Sequence, residues 1–189
     1  MNSGRELYSK LRVVIEILKK IIAVLPAFLA NFALSLLSSG RSKPSIFLRY
    51  LFFSRVLRTL GESVYFGEYV IIRNPRGVSL GDSVSIHPLT YIDGYGEVNI
   101  GNYVSIAHNS SILSFEHQWG NAELPIKYNP VKSFPVVIED DVWIGCGVRV
   151  LAGSYIESRV IVAAGSVVKG RLESGWIYGG VPARKLKQL

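Results

Sequence analysis

The sequence predicts a mainly β chain: parallel strands wound into about five stacked triangular coils, with a helical segment ahead of them and one long looped-out arm. Three observations predict this. Aliphatic residues recur every six positions from Ser63 onward, a small or β-branched residue stands two positions ahead of each, and the beat breaks once, from Leu113 to about Val137. A short strand plus a corner uses about six residues, so three of them close a triangular coil of about eighteen.

Residues 1–62 read as a helical leader. Leu7, Leu11, Val14, Leu18, Ile21 and Leu25 repeat at the three-to-four spacing of one helix face, with Lys10, Arg12, Glu16, Lys19 and Lys20 opposite. Pro26 interrupts this run, and a second apolar stretch continues to Leu37 before Ser38-Ser39-Gly40 stops it. Ser42 and Pro44 open a third helix reaching to about Leu60. Ile21–Leu37 contains Pro26 and Asn31 and falls short of the about 20 clean apolar residues of a membrane span. The basic region ahead of it is too long for a secretory signal. The helices are therefore expected to lie in a membrane interface or to pack on the body.

Charge supports the first of these. Residues 1–60 hold ten Lys/Arg (including Arg5, Lys10, Arg12, Lys19 and Lys20) against Glu6 and Glu16, whereas the remaining 129 residues hold eleven bases and twelve acids. A basic, apolar leader on a neutral body points to an anionic membrane surface rather than to nucleic acid.

Residues 63–189 form the body. The beat falls on Phe66 and Ile72; on Leu80, Ile86 and Ile92; on Ile100, Ile106 and Ile112; and, after the break, on Ile138, Ile144, Val150, Ile156, Val162 and Val168. Two steps lengthen to eight, and they hold the turn-forming runs Asn74-Pro75-Arg76-Gly77 and Gly94-Tyr95-Gly96-Glu97, which read as corner insertions. Strand–helix alternation is missing from this region, which excludes a doubly wound α/β fold, and sandwich strands would not keep a six-residue beat. Cys146 is the single cysteine, so no intrachain disulfide can form and the composition suits a reducing compartment.

With Val142-Trp143-Ile144-Gly145 and the terminal Gly179-Gly180-Val181-Pro182-Ala183-Arg184, the repeat resembles the hexapeptide-repeat acetyltransferases over residues 63–187. Within that family it looks like the maltose and galactoside O-acetyltransferases and the sugar O-acetyltransferases of polysaccharide biosynthesis. The resemblance implies a left-handed parallel β-helix, a homotrimer, and acetyl-CoA held as co-substrate in the groove between neighbouring prisms. It implies a glycan acceptor in the cytoplasm or at the inner face of its membrane, peripheral membrane contact through residues 1–60, and neither metal nor nucleic acid.

A sugar hydroxyl attacks a thioester only if a base removes its proton, work suited to imidazole. His117 opens the arm five residues after Ile112, where the resemblance places the catalytic His. Glu116 or Glu123 is a candidate to orient it, and Glu116, Trp119, His87 and Asp93 are candidates to meet the acceptor. His87 stands where the family often has Asn, and His108 reads as a packed corner residue. On the donor side the resemblance assigns Trp143, the backbone at Cys146 and Ala164, and the bases Arg184 and Lys187. Lys169 is displaced by one from the family position, and Arg171 is expected to share its work. Cys146 is not expected to act as a nucleophile, since direct transfer needs none.

Other readings stay open on sequence alone. They are an N-acetyltransferase of a nucleotide-linked amino sugar, a non-catalytic membrane scaffold, and a zinc carbonic anhydrase on the same prism. The last requires a His pair five apart, which the spacings of His87, His108 and His117 do not supply.

Overall fold

The computed structural model describes residues 4–189, with side chains from residue 11 onward. Leu7, Arg5, Glu6 and Lys10 therefore lie outside the described side chains. The body is a left-handed parallel β-helix of about six turns. Its strands stack into three sheets: one of six strands, one of seven that includes a final antiparallel strand, and one of five. On face one Leu60, Leu80, Ile100, Ile138, Ile156 and Leu172 stand in register. On face two the column is Phe66, Ile86, Ile106, Ile144, Val162 and Tyr178. On face three it is Ile72, Ile92, Ile112, Val150 and Val168. Nearly all are fully buried, forming one aliphatic core along the prism.

The beat alone predicts about five coils, and the structure adds a rung at each end. Leu60 joins the core through pairing of Thr59–Leu60 with Ser79–Leu80. Past Val168, Leu172 and Tyr178 continue the columns, the first after a step of only four residues. Leu172 follows an irregular step, where the six-residue spacing cannot be read, whereas Leu60 keeps the spacing, six residues before Phe66, but reads from sequence as the end of the third helix. The residues two positions ahead of each beat are buried as well, and their chemistry closes the corners. The Oγ groups of Thr90, Ser154 and Ser166 donate to the carbonyls of His87, Leu151 and Ala163 at 2.7–2.8 Å. That satisfies corner carbonyls which neighbouring strands do not reach.

Three helices cover the N-terminal end of the prism: α1 (Gly4–Ala23), α2 (Ala27–Leu37) and α3 (Lys43–Val56). Ser42 caps α3, its Oγ accepting the Ser45 N–H at 3.3 Å, and the helix ends at Val56, four residues before the Leu60 its sequence suggests. Strand pairing claims Thr59–Leu60 instead. α3 closes the first coil: the Phe53 and Phe66 rings stack at 4.2 Å, and Tyr50 donates to the Gly61 carbonyl at 3.1 Å. Arg49 is buried and spans the junction, donating to the Phe66 carbonyl and to those of Leu37 and Gly40. α1 and α2 pack on α3 in turn.

The inner row of α1 is Ile15 and Ile22, fully buried, with Leu18 and Leu25 beside them. Val14 and Ile21, read from sequence as part of the inward seam, are 52% and 58% exposed. α1 is apolar on more than one side, so spacing alone could not tell which row faces α3.

Candidate active site on two edges of the prism

The arm leaves the third edge, between faces three and one. The chain exits face three at Ser111–Leu113 and re-enters face one at Val136–Ile138. Between them Phe115–His117 pairs antiparallel with Val131–Ser133, placing His117 opposite Val131. The root of the arm is anchored by groups the sequence did not single out. Buried Ser114 donates through Oγ to the Asp93 carbonyl at 2.6 Å and accepts the Gly96 N–H at 2.8 Å. The Phe115 ring meets Tyr95 edge-on at 5.6 Å. Gly96 is required by close approach: a Cβ there would lie 2.1 Å from the Ser114 carbonyl oxygen and 2.9 Å from the Phe134 nitrogen. Further out, buried Asn129 ties the loop together, donating to the carbonyls of Asn121, Leu124 and Pro125 and accepting the Asn121 N–H. Asn is an ordinary loop residue, so only its burial reveals this role.

His117 is exposed on this hairpin, and Trp119 just beyond it is 66% exposed. Glu116 lies opposite Lys132, and successive strand residues face opposite sides, so Glu116 and His117 point apart. Among the described residues neither Glu116 nor Glu123 bonds to the imidazole. Asp93 sits at the arm's root, 6% exposed, with its carboxylate accepting from Asn74 Nδ2 at 2.7 Å, the Tyr95 N–H at 3.0 Å and Tyr91 OH at 3.2 Å. Its bonds organise the corner insertion that supports the arm. Lys169 stands exposed at the same edge, and Arg171 on the next strand pairs with Glu157 at 2.6 Å and covers the Tyr155 ring.

The second edge, between faces two and three, gathers residues far apart in sequence. Each face-two strand ends there, so its corners stack Pro88, His108, Cys146, Ala164 and Gly180 one above another, with His87 one position ahead of Pro88 at the same corner. The antiparallel strand Arg184–Gln188 begins at the same corner, with Arg184 opposite Gly179 and Lys187 opposite Ile177. Trp143, 54% exposed, projects from face two beside it. Gly145 sits so close to the next coil that a Cβ would come within 2.6 Å of the Ala164 nitrogen. The N–H groups of Gly145, Gly147 and Gly165 donate to the Val162, His108 and Cys146 carbonyls. Those of Cys146 and Ala164 have no acceptor among the described residues. The edge thus presents two free amides on a strip of small residues, with bases beyond it.

At the upper part of this edge His87 is half-buried, its ring 5.6 Å from that of Tyr65. Burial lowers its pKa below the usual 6.5, and the neighbouring His108 lowers it further. His87 is consequently neutral near pH 7, able both to donate and to accept a hydrogen bond. No group of three or more His, Cys, Asp or Glu placed to hold a metal ion occurs among the described residues.

Comparison with known proteins fits this arrangement. Residues 135–170 match the family model described as bacterial transferase hexapeptide (six repeats). A protein of Mycobacterium tuberculosis named as a probable acetyltransferase is 33% identical over 129 residues, 68% of this chain and 43% of its own length. WbbJ of Escherichia coli K12, named as a lipopolysaccharide biosynthesis O-acetyl transferase, is 31% identical over 121 residues, 60% of this chain and 62% of its own. The chain thus spans about half the length of these relatives. Among solved structures, a hexapeptide-repeat containing acetyltransferase of Vibrio cholerae complexed with acetyl-coenzyme A superposes with a TM-score of 0.75 at 26% identity, covering 85% of each chain. Residues 135–170 thus carry the hexapeptide repeats of the bacterial transferases, and the coil geometry and the relatives agree with that match.

Proposed function

We propose that the chain is an acetyl-CoA-dependent O-acetyltransferase acting on a sugar hydroxyl in capsule, O-antigen or exopolysaccharide synthesis, and that it works as a homotrimer. The observation that carries this is the second edge: the free Cys146 and Ala164 amides on a strip kept narrow by Gly145, running towards Arg184 and Lys187. A pantetheine arm carries amides of its own to pair with such groups, and the bases suit the nucleotide phosphates. The Vibrio cholerae relative was solved with acetyl-coenzyme A, and WbbJ is named for O-acetyl transfer.

In this reading His117 accepts the proton of the acceptor hydroxyl as its oxygen attacks the thioester carbonyl. The Cys146 amide, or that of Ala164, donates to the oxyanion that forms. The carbon–sulfur bond then breaks, and the His117 imidazolium returns its proton to the thiolate, giving free CoA and a sugar acetate. His87 and Trp119 contact the acceptor, while Asp93 acts through the arm's root. Because His117 and the amide strip lie on different edges, one copy's arm serves the next copy's amide edge. The donor and the unpaired Cys146 suit the cytoplasm, and the apolar leader suits the inner face of its membrane.

Labelled acetyl-CoA offered with a panel of saccharides tests the proposal. Transfer of label to a hydroxyl supports it. Label appearing only on amino sugars would favour N-acetylation instead, and no consumption of acetyl-CoA with any acceptor would refute it.

A further inference from the structure

The leader's charge does not act as the sequence suggests. Arg12, Arg41 and Arg58 pair with Glu62, Glu68 and Glu97 of the first coils at 2.6, 3.2 and 2.8 Å. Lys19 pairs with Glu16, and Arg49 and Arg55 are spent on backbone carbonyls. Only Lys20 and Lys43, of the described bases in residues 1–60, have no partner. What the helices leave unpartnered is apolar.

α1 and α2 bury Ile15, Ile22 and Ala30 against the layer beneath and turn the opposite rows outward. Val13 and Val24 are 74% and 81% exposed; on α2, Phe28, Phe32 and Leu36 are 68%, 63% and 68% exposed. The α2 residues recur every four positions, a single stripe, and α2 carries no charged residue. So large an exposed apolar surface marks an interaction site. No helix among the described residues is long and apolar enough to cross a membrane.

We propose that the outer face of α1 and α2 seats in the interfacial layer of a phospholipid bilayer, held mainly by apolar burial. The charge around the face favours this occupant: from Leu11 to Ser45 the only acid is Glu16, and Lys20 on α1 and Lys43 at the start of α3 are exposed bases that suit anionic headgroups. The orientation follows from α2, whose Ser38 carbonyl accepts the Tyr69 N–H at 2.8 Å. Tyr69 occupies the corner one coil above His87, so the docked face lies at the end of the prism where the second edge begins. This deepens the membrane placement proposed above and is independent of the acetyl-transfer chemistry.

The test is co-sedimentation of the full chain with phosphatidylcholine vesicles, with and without phosphatidylglycerol, at low and high salt. The wild type is expected to pellet with both compositions and to stay bound at high salt. The combined Val24→Ser, Phe28→Ser and Phe32→Ser variant should lose binding at least tenfold, with its far-UV spectrum and oligomeric mass unchanged. As a second measurement, Phe32→Trp should add a blue-shifted emission when vesicles are present. Binding confined to anionic vesicles and abolished by salt, wild-type binding by the triple variant, or no shift at Trp would each overturn the proposal. Loss of oligomeric mass in the triple variant, with no vesicle binding by the wild type, would assign the face to a second copy. Acetyl-CoA turnover measured in parallel reports on the transferase reading alone.

Discussion

The two edges that carry the candidate site are built by different means. The second edge is made of backbone: Gly145, Cys146 and Ala164 are fixed because each coil bonds to the next, and their side chains contribute mostly by being small. The third edge is made of side chains on an arm whose root rests on Ser114, Gly96 and the Tyr95–Phe115 contact. A rigid edge suits a long donor that must be laid in place. An arm anchored at its root by buried contacts suits a base that must be held out from the prism to meet an acceptor. Substitutions should therefore act differently on the two edges.

The largest effect is expected from His117→Ala. Loss of a general base should lower kcat by about a hundredfold or more, while oligomeric mass and acetyl-CoA binding stay unchanged. Turnover close to wild type would remove His117 from the mechanism. Gly96→Ala tests whether the arm's root positions that base. The new Cβ meets backbone on both sides and must displace it, and an error of about 1 Å at a catalytic group costs up to about a hundredfold. A tenfold loss of kcat or more is expected, with acetyl-CoA affinity retained; unchanged kcat would show that the arm is positioned by something else.

A smaller effect concerns His87. Its pKa is lowered in the folded chain, so the unfolded chain binds more protons as pH falls. Its contribution to stability is complete above about 6.5 and declines as pH drops through that value towards the folded pKa. Melting temperature followed from pH 7.5 to 5 should fall less steeply in His87→Asn than in the wild type. Parallel curves would mean that His87 is not held neutral. The smallest effect is predicted for Cys146→Ala, which keeps the amide and the small side chain and should retain nearly full turnover. Trapping of an acetyl group on Cys146 would contradict direct transfer.

Much of the fold was legible because it is a local rule repeated: a beat residue such as Ile106 or Val162 needs only its own six-residue unit to be recognised. The rung at Leu172 escaped because the spacing shortens to four beside it, and the one at Leu60 because that residue reads as the end of the third helix. The orientation of α1 escaped because Val13, Val14, Ile15 and Ile17 are all apolar, and only packing on α3 separates them. The fate of the leader's bases was invisible because Glu62, Glu68 and Glu97 reach them only after folding. For the site, His117 and Ala164 could be named from motifs, but Ser114, Gly96 and Asn129 act through buried contacts without a motif. Asp93 was named as an acceptor contact, and the structure shows its carboxylate bonded into the corner beneath the arm.

The central claim is that one copy's arm completes the next copy's amide edge, and mixed trimers test it. His117→Ala disables the arm. Ala164→Trp, at an exposed position, blocks the amide edge without entering the core. Each variant alone should be inactive. Co-assembled in equal amounts, they should recover about a quarter of wild-type activity, because a site between copies draws its arm and its edge from different chains. If arm and edge of the same chain formed the site, every site would carry one defect, and the mixed trimers would remain inactive.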